Sequence, residues 1–254
     1  MRLRQQLLTG NDCYKAGRTI AVKGVMVHST GANNPKVARY VPGDDVLGRN
    51  TSGNHWNRSG IKKCVHAFIG KFADGGIGTV QTLPWNRRGW HAGGAANNTH
   101  IGFEICEDGL TDASYFSAVY QEAVEVTATL CKEFSLDPLA DGVLICHQEG
   151  CRRGIASNHA DVLHWFPRHG KTMNDFRRDV AAAMKRREEE PVSYERWKAY
   201  MEQYRTELGT LPGPDWGASE LTRAVELGLT DGARPQALAT RQEVVSMLVR
   251  ASAR

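Results

Sequence analysis

The sequence predicts an α/β domain built on a central mixed β-sheet flanked by helices, with a small helical appendix after it. Three observations point there. Short apolar runs rich in β-branched residues recur at 22–28, 100–106 and 142–146, each bounded by polar or Gly-containing stretches. A turn-linked pair of runs, 63–69 and 78–83, reads as a hairpin. Apolar residues at a spacing near 3.6 mark helices at about 114–134 and 173–187. Strands punctuated by helices, with a hairpin as well as crossovers, give a mixed sheet rather than an all-parallel one.

Taken in order, residues 1–20 read as an arm or short helix with turn residues at Gly10, Asn11 and Asp12. Val22 to His28 is the first core strand. Ser29 to Gly60 is a long polar loop with Gly, Asn and Pro throughout. A loop of that length inside a domain is usually functional or disordered, and Tyr40 and Trp56 favour the wall of a binding site. The hairpin turns through Ala73-Asp74-Gly75-Gly76. After a second loop, PWNRRGWHAGGAANN, comes the interior strand His100 to Cys106.

The helix that follows carries Phe116, Val119, Tyr120, Ala123, Val124, Thr127 and Leu130 on one face, and Asp112 or Ser114 is placed to cap it. Gly142 to Cys146 returns to the sheet. In the last helix of the domain Met173, Phe176, Val180 and Met184 share a face. Past KRREEE the composition changes, which sets the division at 1–188 and 189–254. The second part holds an amphipathic stretch, Tyr194 to Leu208, then a Gly/Pro linker, GTLPGPDWG, and two more helical segments separated by TDGARP.

A formal charge of +4 favours approach to anionic polymers but is too weak to indicate nucleic-acid binding. No apolar run approaches the length of a membrane span. The start, MRLRQQLLTG, lacks the long apolar core of a secretory signal, so the expectation is synthesis in the cytoplasm and action elsewhere only after release. Six scattered cysteines then favour free thiols over a disulfide framework.

The chemistry concentrates in ICHQEGCRRGIASNHADVLHWFPRHGKTMN, residues 145–174, which places five polar functional groups on what reads as a loop after a buried strand. His147 ends that strand and His28 ends the first one. Two such histidines plus a loop carboxylate can supply the N/N/O ligands of a catalytic zinc with one position open. A His at a strand end is more often a hydrogen-bonded structural residue, so neither alone decides. Cys146 and Cys151 flank the site, but Cys146 should face away from His147 because neighbours on a strand point to opposite sides. Glu104 sits in the apolar run IGFEI, an expensive place for an unpaired carboxylate, and is either functional or paired with a buried Arg.

Three blocks carry a family resemblance: VMVHSTG, WHAGG...NNTHIGFEI and CHQEG...SNHADVLHWFP. In that order, over about residues 10–184, they resemble the zinc-dependent N-acetylmuramoyl-L-alanine amidases, which share a fold with peptidoglycan recognition proteins and include many phage endolysins. The resemblance implies zinc as cofactor, with His28, His147 and Asp161 as ligands. Asp161 is followed by Val162 where relatives commonly have Pro, and His164 is the alternative ligand. It implies Glu104 as general base and acid. It also places His159 where relatives carry a Lys or Thr that stabilises the oxyanion, a hydrogen bond that an imidazole N–H can also donate; His159 as a plain surface residue is the other reading. Trp90, His91 and Asn97 are implied near the substrate, and His66 lies in a strand that holds a catalytic Tyr or a His in some relatives.

The implied activity is a peptidoglycan hydrolase, endolysin or autolysin, cutting the amide between N-acetylmuramic acid and L-alanine. The alternatives are a binding module of the same fold that has lost catalysis, or a zinc peptidase acting on the stem peptide; no HExxH helix is present. The segment TDGxxPxxxxTRxE resembles one S-layer-homology unit. That resemblance implies a wall polymer as partner, while a helical hairpin packed on the catalytic domain, or used for self-association into a homo-oligomer, is the competing expectation.

Overall fold

The computed structural model describes residues 1–189 and 193–252, with no side-chain detail for 187–189. The chain divides into two compact units, Met1–Glu189 and Glu190–Arg254. The first contains, in order, β1 (Leu3–Gln5), α1 (Asp12–Ala16), β2 (Gly24–Asn33), β3 (Ala67–Lys71), β4 (Ile77–Gln81), β5 (His100–Glu107), α2 (Ala113–Glu133), β6 (Leu144–Cys146), α3 (His147–Arg152) and α4 (Met173–Glu189). The second contains α5 (Tyr194–Thr210), α6 (Ala218–Glu226) and α7 (Arg241–Ser252).

The six strands form one mixed sheet in the order β1-β4-β3-β5-β2-β6. β3 and β4 are the antiparallel hairpin; β3, β5, β2 and β6 run parallel, and so do β1 and β4. Alternation along the strands sorts the side chains. Val25, Val27, Ile101, Phe103, Ile105, Leu144 and Cys146 face α2 and α4, where they meet Phe116, Tyr120, Val124, Phe176 and Val180. Each such fully buried aliphatic or aromatic group contributes roughly 1.5–3 kcal/mol, so this face is the main core. Asp112 caps α2, accepting from Ser114 N (2.9 Å) and Tyr115 N (3.0 Å).

The opposite face of the sheet is covered mainly by loops, with the short α3 over Met26 and Ile145. The long segment after β2 is folded onto it: Tyr40 stacks on Phe68 with ring centres 4.5 Å apart, and Trp56 meets Phe68 edge-on. These aromatics are core, not the binding-site wall expected of them; an apolar strand face with no helix over it recruits the nearest aromatic rings. β1 extends the sheet edge by pairing with β4 where an arm or helix was expected.

In the second unit the described helices bury no side chain. Among the described residues no helix is long and apolar enough to cross a membrane.

Candidate metal centre and catalytic cleft

The parallel pairing of β5, β2 and β6 builds the site. His28 on β2 stands directly beside Glu104 on β5, and Val27 stands beside Cys146 on β6. His147, the next residue after Cys146, therefore emerges next to His28 at the strands' carboxyl ends, the edge where open α/β sheets place their ligands. Cys146 points into the helix-covered core, away from His147 as alternation requires. His147 is the first residue of a short helix, α3, rather than a loop residue. Cys146 N–H donates to Glu149 Oε2 (3.1 Å), and Arg177 grips the same carboxylate, which fixes the helix start.

Asp161 arrives from the loop after α3. Its neighbours Val162, Trp165 and Phe166 are wholly buried in the main core and pin an otherwise polar segment. Asp161 Oδ2 lies 3.1 Å from His28 Nδ1 and 3.7 Å from His147 Nδ1, and the two Nδ1 atoms are 3.1 Å apart. One ligand atom from each of the three residues falls within 4.8 Å of the others, a group able to hold a metal ion.

The hydrogen bonds behind these residues set the tautomers. His91 Nε2–H donates to His100 O (3.1 Å), so His91 Nδ1 is the acceptor for His28 Nε2–H (3.0 Å). The Nδ1 lone pair of His28 is thereby turned toward Asp161 and His147. On the other side His147 Nε2 meets Ser157 Oγ (3.1 Å), which also reaches Ala92 O (3.3 Å) and His159 Nδ1 (3.2 Å). Without a cation, either two nitrogen lone pairs face each other across 3.1 Å or a proton is shared between them. A metal ion removes the conflict by accepting both nitrogens and the carboxylate, and the outer nitrogens are already tied to donors and acceptors as metal-bound imidazoles require.

Protonation agrees. Burial pushes the Asp161 carboxyl up, but the His147 and His28 rings facing it outweigh that and hold it well below the ordinary carboxylate range. Burial lowers the His28 pKa despite Asp161 beside it. Both shifts run toward the proton-free forms that a cation needs.

The cleft around this centre encloses about 710 Å³ and is lined by His28, Thr30, Lys63, Trp90, Glu104, Glu107, His147, Ser157, His159, Asp161 and His164. Glu104 Oε2 is buried without a hydrogen-bond partner. Burial above all, then the charges of Asp161 and Glu107, push its pKa well above the ordinary value, with Lys63 pulling the other way. Among the described residues no Arg pairs with it, so the salt-bridge reading is not supported. His164 turns from the three-residue group to Glu107 Oε1 (3.0 Å), whose carboxylate also accepts from Gly31 N.

Trp90 is 46% exposed at the cleft wall, with Arg88 over its face. His91 lies deeper, packed over Gly102, where a Cβ would come within 2.4 Å of the ring. Glycine at 102 is what lets that imidazole reach His28. Two of the candidate residues, Asn97 and His66, whose role was open, are not in the cleft. His66 is fully buried, accepting from Gly102 N–H (3.0 Å) and meeting Arg87 O through Nε2 (2.7 Å). Asn97 is also fully buried, its Oδ1 accepting from His91 N and Ala92 N. Both hold backbone: one joins β3 to β5, the other shapes the turn that presents Trp90 and His91. Ser157 was not anticipated, since a lone Ser in a polar stretch carries no periodic or spacing signal.

Comparison with known proteins places these features. Residues 18–168 match the family described as N-acetylmuramoyl-L-alanine amidase. None of the curated proteins matches the chain. Among solved structures, the hydrolase AmiA of Staphylococcus aureus, in complex with its ligand, is similar at 18% identity with a TM-score of 0.52, over 72% of this chain and 82% of that one. PlyL is similar at 20% identity with a TM-score of 0.51, over 71% of this chain and 97% of its own. At such identities the likeness is one of fold.

Proposed function

The chain belongs to the N-acetylmuramoyl-L-alanine amidase family, and from that premise we propose that it hydrolyses the amide between N-acetylmuramic acid and L-alanine in bacterial peptidoglycan, as an endolysin or autolysin. One observation carries the reading: His28, His147 and Asp161 form a group able to hold a metal, with the unpaired Glu104 directly beside His28 in the same cleft. Two imidazoles and a carboxylate suit zinc. When bound, zinc supplies a water that ionises near neutral pH and a positive charge beside the scissile carbonyl.

The chain's own residues do the rest. Glu104 takes the proton from the attacking water and passes it to the leaving amide nitrogen, the role of a positioned general base and acid. Its dry surroundings favour this, because burial strengthens the carboxylate's hold on a proton, which suits a group that first accepts one and then delivers it. His159 donates a hydrogen bond to the oxygen that becomes negative in the transition state. Trp90 offers a flat apolar wall to the substrate, while His91 and Ser157 orient the two histidine ligands. The C-terminal unit we assign to attachment, to a wall polymer or a second copy. In support, it exposes several large apolar groups, among them Trp197, Tyr200 and Trp216, the last 85% exposed.

Mass spectrometry of sacculi digested with the protein tests the reading. Stem peptides with a free L-alanine amino group, and glycan chains stripped of peptide, are the expected products. Cuts within the stem peptide would make it a peptidase, and tight binding without products would make it a recognition module.

A further inference from the structure

Outside the cleft, two cysteines lie side by side on different segments. Cys13 belongs to α1 and is partly exposed, whereas Cys64 is fully buried on the strand-like stretch before β3. Their meeting is built rather than incidental. Asn11 caps α1 by accepting from Cys13 N–H (2.9 Å), and its amide donates to Trp56 O (3.0 Å) and Lys63 O (3.2 Å), the latter belonging to the residue before Cys64. Asp12 adds a second staple, accepting from Ser59 Oγ (3.1 Å) and Gly60 N (3.0 Å). Between these clamps the two thiols lie near enough for each to perturb the other's ionisation, and Cys64 Sγ also reaches Val65 O (3.8 Å).

We propose that Cys13 and Cys64 form a dithiol site that closes to a disulfide by exchange with a small-molecule disulfide such as oxidised glutathione. The division of labour follows from position. Cys13 is the sulfur that solvent reaches, and Arg88 stands near enough to favour its thiolate. The neighbouring Cys64 thiol favours that thiolate more than Arg88 does and, with burial, has its own pKa raised. Cys13 thiolate attacks one sulfur of the oxidised glutathione, breaking its S–S bond and expelling one glutathione thiolate. Cys64 then gives up its proton to solvent and attacks Cys13 Sγ, expelling the second. Two protein thiols are oxidised, one external disulfide is reduced to two thiols, and no further oxidant enters.

The bond would tie α1 to the stretch that supports the cleft wall, because Cys64 pairs with Trp90 in both directions, N to O at 3.0 Å and 2.9 Å. It would also close the long loop between the two positions in the unfolded chain, which stabilises a fold. This does not depend on the reaction proposed above.

The test is non-reducing peptide mapping of the full chain after incubation with excess oxidised glutathione. The expected result is a cross-linked peptide pair containing Cys13 and Cys64, reversed by dithiothreitol, with a melting temperature raised by roughly 5–15 °C over the reduced protein. Cys64→Ser should trap glutathione on Cys13, and Cys13→Ser should leave Cys64 unmodified. A lasting glutathione adduct at Cys13 with Cys64 still reduced, two free thiols, or Cys64 modified as fast in Cys13→Ser would each overturn the proposal.

Discussion

The Nδ1 atoms of His28 and His147 face each other at 3.1 Å, with Asp161 Oδ2 3.1 Å from the first and 3.7 Å from the second. Neutral imidazoles do not choose that arrangement for packing. It arises because each ring is held from behind, His28 by His91 and His147 by Ser157. The first expectation concerns that backing. His91→Ala and Ser157→Ala each leave all three ligands in place and should weaken metal affinity roughly 10–100-fold. Competition with a chromogenic chelator measures this without any substrate. Unchanged affinity in both variants would show that the rings need no outer partner.

Glu104 is separable from metal binding. Glu104→Gln keeps the shape and removes the titrating group, so metal content should stay the same while turnover falls by roughly 10²–10⁴. Wall-lysis rates and metal analysis on the same preparation check the two halves. Near-normal lysis would place the base elsewhere.

His159 contacts Ser157 and packs against the ring of His147 at 4.6 Å between centres. A donor used in the transition state should affect kcat more than KM. His159→Ala should therefore lower kcat by roughly 10²–10³, and His159→Lys should restore much of it. An alanine variant with unchanged kcat would make His159 a bystander at the rim.

His66 gives a pH dependence of stability. Burial, opposed by its bonds to Arg87 and Gly102, lowers its pKa from 6.5 to about 4. The unfolded chain therefore takes up this proton first as pH falls below about 6.5, and the folded one follows only near 4. The contribution, about 3 kcal/mol, is complete above pH 6.5, shrinks across that window and is gone below it. His91 and His100, also lowered by burial, act in the same direction. Denaturation between pH 7 and pH 4 should show the loss, and NMR should find the His66 ring neutral at pH 5. A ring titrating near 6.5 would contradict the assignment.

Much of this was legible in the residues. The apolar runs placed β2, β5 and β6 within a few positions, and alternation correctly sent Cys146 to the core. The row formed by Glu104, His28 and His147 needed the parallel order of three strands, which no single-strand pattern contains. Asn97 was expected near the substrate and His66 was left open because a buried polar side chain bonded to backbone looks, in sequence, like one waiting for a ligand. Tyr40 and Trp56 were misjudged for the converse reason: aromatics in a polar loop can cover a bare sheet face as well as line a cleft. β1, three exposed residues on the sheet edge, offers no periodicity at all.

The most direct test of the metal centre is the zinc content of the purified chain beside that of His28→Ala. About one equivalent in the unaltered protein, removable by a chelator with loss of activity, and little or none in the variant is the predicted result. Stoichiometric zinc unaffected by His28→Ala would contradict it.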